Sequence, residues 1–212
     1  MYYNGAEVVD VPGYAVLHST LFDLNPARFC VELSRDLGLY YQVYLPGTPK
    51  RPREILMADR FTPEAEAYQK RCGLKVRVGD LQEALADPDL PGCIKAMFIT
   101  EPSNHDRIRR ELTQRYGNTI SIVRSSDTFL EIIAAGVSKG TGLYHALEHL
   151  GLSPDQVIAF GDEENDLPMF KAAGFSAAPA NAKSEVLKAA DFKIPSNAED
   201  GVAVFLGELF GV

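Results

Sequence analysis

The run Val157-Ile158-Ala159-Phe160 followed by Gly161-Asp162-Glu163-Glu164-Asn165-Asp166 decides the fold class. Four consecutive apolar residues fit a strand buried on both faces, as in parallel sheets. The turn after it holds four carboxylates, Asp162, Glu163, Glu164 and Asp166, within five residues. Like charges at that spacing repel one another unless something cationic sits among them. A buried strand that ends in such a turn puts its acids at the carboxyl edge of an α/β sheet, where these folds keep their ligands. The pattern suggests a metal or phosphate site. Acids at a helix start also complement the helix dipole with no function at all.

Outward from that turn, the C-terminal part alternates in a regular way. Ser138–Leu150 reads as a helix with Leu143, Ala146, Leu147 and Leu150 on one face and Gly151 beyond its end. Asn165–Ala173, Ala182–Ala190 and Gly201–Leu209 read as further helices, with strands at Phe175–Ala178 and Phe192–Ile194 between them. This is the βαβ pattern of a parallel, doubly wound sheet. Lys139 lies at the start of the first of these helices, a position suited to anions.

Residues 1–136 differ in character. Ala6–Val9 and Tyr14–Thr20 flank Asp10-Val11-Pro12-Gly13 as a hairpin. Asn25-Pro26 and Thr62-Pro63 are cap-plus-proline helix starts, and Gly38 suits the exit of the first helix. Asp80 with Glu83 opens a short helix in capping-box fashion. Strands are expected at Tyr40–Leu45, Lys95–Thr100, Ile120–Arg124 and Phe129–Ala134, with a helix over Asn104–Tyr116. Two antiparallel pairs around helical excursions describe an α+β module over 1–136, followed by an α/β part over 137–212.

Composition bounds the function. The chain has 212 residues, 46% hydrophobic and 24% charged, with net charge −8, which disfavours nucleic acid and anionic membranes as partners. Phosphorylated substrates remain compatible, because a bound divalent cation reverses the local sign. Three cysteines, Cys30, Cys72 and Cys93, form no CxxC pair and read as reduced thiols of a cytoplasmic protein. No apolar run reaches membrane-spanning length. His145 and His149 have the spacing of a metal pair, but Glu148 is misplaced for HExxH, and a solvated helix face is expected. Lys50, Arg51 and Arg53 fall in a basic proline-rich loop over 46–53, read as exposed.

Taken together and in order, Val137-Ser138-Lys139-Gly140, the Gly161–Asp166 turn, Pro179-Ala180-Asn181-Ala182 and Asp200-Gly201-Val202-Ala203 closely resemble the haloacid dehalogenase superfamily. The nearest likeness is to Cof-type phosphatases with a large α/β cap, strongest over residues 129–212; Asn4-Gly5-Ala6 resembles the family's lead-in to the cap. The resemblance implies a Mg²⁺-dependent phosphohydrolase acting on small phosphorylated metabolites of the sugar-phosphate type. It implies a cap domain over 1–136 and the C-terminal half of a Rossmann-like core over 137–212. It also implies that Lys139 neutralises phosphate and nucleophile charge, and that Asp162 is the direct Mg²⁺ ligand. Asp166 would hold Lys139 or a metal-bound water, and Asn165 would hydrogen-bond the phosphate.

The family's first motif, an apolar strand ending in DxDGT, supplies a nucleophile and an acid/base, and it has no match here. The chain is therefore expected to be a truncated form, inactive alone. The alternatives are a non-catalytic fragment that binds a partner and one half of a split enzyme. Leu21-Phe22-Asp23-Leu24-Asn25 with Met97-Phe98-Ile99-Thr100 offers an internal stand-in, with Asp23 as nucleophile, but Asn25-Pro26 removes the acid/base and stiffens the loop. The open edge of Val157–Phe160 is expected to seek a partner, giving a homodimer or looser association.

Overall fold

The computed structural model describes residues 1–11, 13–51 and 54–211. It divides into two compact units, one made of Met1–His18 with Val137–Val212 and the other of Ser19–Gly136. The chain enters through a turn at Tyr3–Gly5, then β1 (Glu7–Val9) and β2 (Val16–Ser19) form a two-stranded ribbon. The expected turn between them contains Pro12, which lies outside the described residues. Residues 1–18 thus pack with the C-terminal segment, whereas the sequence pattern grouped them with 19–136.

The second unit starts with α1 (Leu24–Leu37). Its N-cap is Asp23, not the expected Asn25: the Asp23 carboxylate accepts from Asn25 N at 2.7 Å, and Gly38 ends the helix in the left-handed region. Then follow β3 (Tyr40–Leu45), β4 (Ile55–Ala58), α2 (Pro63–Cys72), β5 (Val76–Val78), α3 (Leu81–Leu85), β6 (Lys95–Ile99), α4 (His105–Tyr116), β7 (Ile120–Arg124) and β8 (Phe129–Ala134). The sheet order is β5-β4-β3-β6-β8-β7, antiparallel except for the β4–β5 pair. β4 and β5 escape the sequence pattern because each is only three or four residues long and flanked by charge.

Alternation in β3 separates two chemistries. Tyr41 faces α1, with its hydroxyl on Ala27 O, among the fully buried Val31, Val43 and Phe98. Tyr40, Gln42 and Tyr44 face the other way and form a hydrogen-bonded ladder that ends on Tyr68 of α2. Beside it lies a buried ion pair, Lys95 Nζ to Glu131 Oε1 at 3.1 Å, with the Tyr44 ring 4.5 Å from the ammonium and Ser125 Oγ donating to the same carboxylate oxygen. A buried ion pair is tolerated only when its remaining valences are met, which these neighbours do.

The first unit resumes with α5 (Lys139–Leu150), β9 (Ile158–Phe160), α6 (Leu167–Ala172), β10 (Phe175–Pro179), α7 (Ser184–Ala189), β11 (Phe192–Ile194) and α8 (Gly201–Phe210). β10 is central and pairs in parallel with β9 and β11. α6 and α7 are the crossovers that parallel pairing demands. One core cluster joins Ala159, Phe170, Ala178 and Val186, and Ala6, Ala177 and Ile194 of this unit are buried as well. Among the described residues β9 is an edge strand of this sheet.

Candidate phosphoryl-binding site

The strand β9 delivers the acidic turn to the carboxyl end of the parallel sheet. Gly161 starts the turn, with its N–H on Ala177 O at 3.2 Å, and a Cβ there would stand 2.4 Å from the Asp166 Cβ. Only glycine admits so close a return of the chain. Asp166 is buried, and its Oδ2 accepts from the backbone N–H groups of Asp162 (3.0 Å) and Glu163 (3.1 Å). The turn is therefore folded around one carboxylate, which answers much of the repulsion expected from the sequence.

The other Asp166 oxygen meets Lys139 Nζ at 2.5 Å. Packing dictates that meeting. Ser138 caps α5 by accepting from Thr141 N, and Thr141 Oγ1 returns the bond to Ser138 N, which fixes where Lys139 leaves the backbone. Gly140 lets α5 approach α6 closely, since a Cβ there would lie 2.3 Å from Pro168 O. Lys139 is thereby set against the turn that precedes α6.

Asp162 has both backbone groups engaged, its N–H by Asp166 and its C=O by Lys183 N at 3.0 Å, while its side chain is exposed. Asn165 Nδ2 donates to Asn4 Oδ1 at 2.9 Å, and its Oδ1 is buried without a partner. Asn4 has φ 57° and its neighbour Tyr3 φ 53°, left-handed values that cost of order 1 kcal/mol or more each for non-glycine residues. Lys183 Nζ stands 4.0 Å from Glu163 Oε1 at the margin of the turn. Asn181 Oδ1 accepts from Asn197 N at 2.9 Å, which ties the loop after β10 to the loop before α8.

The four residues singled out from sequence, Lys139, Asp162, Asn165 and Asp166, are thus gathered in one turn and the helix start beside it. Asn4 and Lys183 were given no site role from sequence. The Asn4-Gly5 pair was the available signal, since an Asn-Gly step favours left-handed backbone. Asp23, the stand-in nucleophile, is the cap of α1, and Met97–Thr100 runs through β6 and out of its end in the six-stranded sheet. His145 stacks on His18 with ring centroids 3.5 Å apart, and its Nδ1 is 3.8 Å from Glu148. Lys50 pairs with Asp89 at 2.7 Å, and Arg53 lies outside the described residues.

Among the described residues no three His, Cys, Asp or Glu side chains gather into a metal-binding group. That donor set does not suit zinc, which takes three or four protein ligands. It does suit magnesium, which keeps several waters and takes one or two carboxylates together with substrate oxygens. Asp162 and Glu164 are the exposed carboxylates of that turn.

A family model described as haloacid dehalogenase-like hydrolase matches residues 1–206. The chain belongs to that family. Among its relatives is the stress response protein YhaX of Bacillus subtilis, 36% identical over 208 residues, covering 97% of this chain and 69% of YhaX. Another is 5-amino-6-(5-phospho-D-ribitylamino)uracil phosphatase YitU of Bacillus subtilis, 35% identical over 139 residues, covering 65% of this chain and 50% of YitU. A haloacid dehalogenase-like hydrolase from Bacteroides thetaiotaomicron superposes with TM-score 0.82 at 26% identity, covering 98% of this chain and 74% of its own. The chain spans about half the length of most of the curated relatives it matches. The Cof-type resemblance and the α/β fold with a cap stand with these matches. Among the described residues no helix is long and apolar enough to cross a membrane.

Proposed function

We propose that this chain carries the phosphate-binding half of a Mg²⁺-dependent phosphomonoester hydrolase acting on small phosphorylated metabolites. The observation that carries the reading is the Lys139–Asp166 pair at the mouth of the acidic turn, with Asn165 and the exposed Asp162 carboxylate beside it. The phosphatase name of YitU and the family match support the substrate class. Residues Ser19–Gly136 would be the cap, and the first unit the core that holds the phosphoryl group.

In this reading Lys139 offsets the charge on the transferring group, as a preorganised cation does in phosphoryl transfer. Asp166 keeps the ammonium aimed, since its carboxylate is itself fixed by two backbone N–H groups. The Asn165 amide hydrogen-bonds the phosphate. Mg²⁺, held through Asp162, would supply charge neutralisation at the phosphate oxygens. An aspartate nucleophile is the part that the four gathered residues do not supply, so the chain alone binds without turning over.

The test is phosphate release from a panel of sugar phosphates with Mg²⁺, using the chain alone and the chain mixed with a separate segment that carries an apolar strand ending in DxDGT. No release alone, and Lys139-dependent release in the mixture, is the expected result. Release by the chain alone that survives Lys139→Ala would place the chemistry elsewhere. The second reading, a binding protein that associates through β9, is favoured by the edge position of that strand. A β9-dependent dimer by light scattering, with no phosphate affinity, would support it instead.

A further inference from the structure

Asn165 reaches out of its own turn to a residue 161 positions earlier, and that contact leaves its amide oxygen buried and unpartnered. An amide carries one acceptor oxygen and two donor hydrogens, and one left free to turn would rotate to satisfy its oxygen. Something therefore holds it. The holder is Asn4, and its own backbone is held in turn. Gly5, at φ 91°, is wedged so tightly that a Cβ would stand 2.2 Å from Ser138 O and 3.1 Å from Gly142 Cα. Asn4 cannot withdraw without unseating Gly5 from the start of α5. The same three-residue turn, Tyr3–Gly5, thus braces the helix start that presents Lys139 and the amide of Asn165.

We propose that Asn4 is a positioning residue: by accepting from Asn165 Nδ2 it locks the amide so that the second N–H faces a bound phosphoryl oxygen. The inference rests on the phosphoryl-site reading above. It makes the N-terminal turn part of the site's machinery, though Asn4 itself touches no substrate. An unbraced amide would exchange donor for acceptor by rotation, and an oxygen facing phosphate repels it.

The experiment is a titration of the 212-residue chain with inorganic phosphate and Mg²⁺, followed by the amide signals of Lys139 and the Asn165 side chain. Asn4→Gly keeps the left-handed backbone at no steric cost and removes only the side chain. It should weaken phosphate binding about tenfold, the size of one charge-assisted hydrogen bond. In an Asn165→Ala background the same change should have no further effect, because the two residues act as one unit. Asn4→Asp, which retains the accepting oxygen, should leave exchange of the Asn165 side-chain amide as slow as in the unsubstituted chain; faster exchange there would overturn the inference, and this readout stands even where Asn4→Gly fails to fold. Equal phosphate affinity in Asn4→Gly and the unsubstituted chain would overturn the inference. So would a loss of the same size with Asn165 already replaced, which would mean general loosening. If the unsubstituted chain shows no phosphate-dependent shift at Lys139 or Asn165, the site reading fails first and the inference falls with it.

Discussion

The two units solve the problem of a buried sheet in opposite ways. Ser19–Gly136 has six strands, fully buried side chains such as Phe98, Met97, Leu130 and Ile132, and a polar ladder whose members satisfy one another. The unit built from Met1–His18 and Val137–Val212 has three parallel strands and a four-residue core cluster. It leaves Leu209 53% and Phe210 72% exposed, with Phe175 and Phe192 also exposed beside them. The candidate chemistry sits in the thinner unit. Close glycine contacts at Gly140 and Gly161 hold the backbone at the end of its parallel sheet. If the proposed site is correct, the contrast predicts that substitutions in the two units will separate stability from chemistry.

The sharpest break would come in the larger unit. Lys95→Ala or Glu131→Ala alone strands a buried charge and should cost about 3 kcal/mol in denaturant unfolding, whereas Lys95→Met with Glu131→Leu should cost far less. Equal losses in all three variants would mean that the pair acts only through packing. In the thinner unit Gly161→Ala drives a methyl into Asp166 and should cost about 2–3 kcal/mol. Hydrogen exchange should then show faster opening of β9 and β10 than of β3 and β6, which would break the idea of a single cooperative fold.

Thiol chemistry offers a smaller contrast. Burial pushes the Cys30 thiol up to about 12 and that of Cys93 higher still, while Cys72 is exposed. One thiol of three should react with a disulfide reagent at pH 8 in the folded chain, and all three in denaturant. The smallest effect concerns pH. Burial lowers His105 below the usual histidine value, and burial together with His145 lowers His18, against an opposing pull from Glu148. For both, the unfolded chain binds the proton more readily, so stability should fall as pH drops through 6.5 toward the depressed values. His105→Gln should flatten that slope; an unchanged slope would assign it to carboxylates.

Much of this was legible in the residues because local signals and tertiary need agreed. Thr62-Pro63 does start a helix, Phe129–Ala134 is a strand as read, and the helix expected over Ser138–Leu150 is present as Lys139–Leu150, with Ser138 as its cap. The acidic turn was expected at the end of an apolar strand, and it does follow β9, which pairs in parallel with β10. What stayed hidden depended on distance along the chain. The pairing of residues 1–18 with 137–212 leaves no periodic trace, and neither does the reach of Asn4 to Asn165. Asn25 outcompeted Asp23 as the expected cap because Pro26 follows it, yet the helix begins two residues earlier, at Leu24, with the Asp23 carboxylate on Asn25 N. The folding of the acidic turn around Asp166 was likewise invisible, because spacing shows charge but not which carboxylate turns inward.

The most direct test of the phosphoryl site is a crystal structure of the chain with Mg²⁺ and tungstate, a phosphate mimic whose heavy atom locates itself. The account predicts tungstate within hydrogen-bond reach of Lys139 Nζ and the Asn165 amide, with Mg²⁺ on the Asp162 carboxylate. Tungstate bound elsewhere, with the Lys139–Asp166 pair undisturbed, would contradict it.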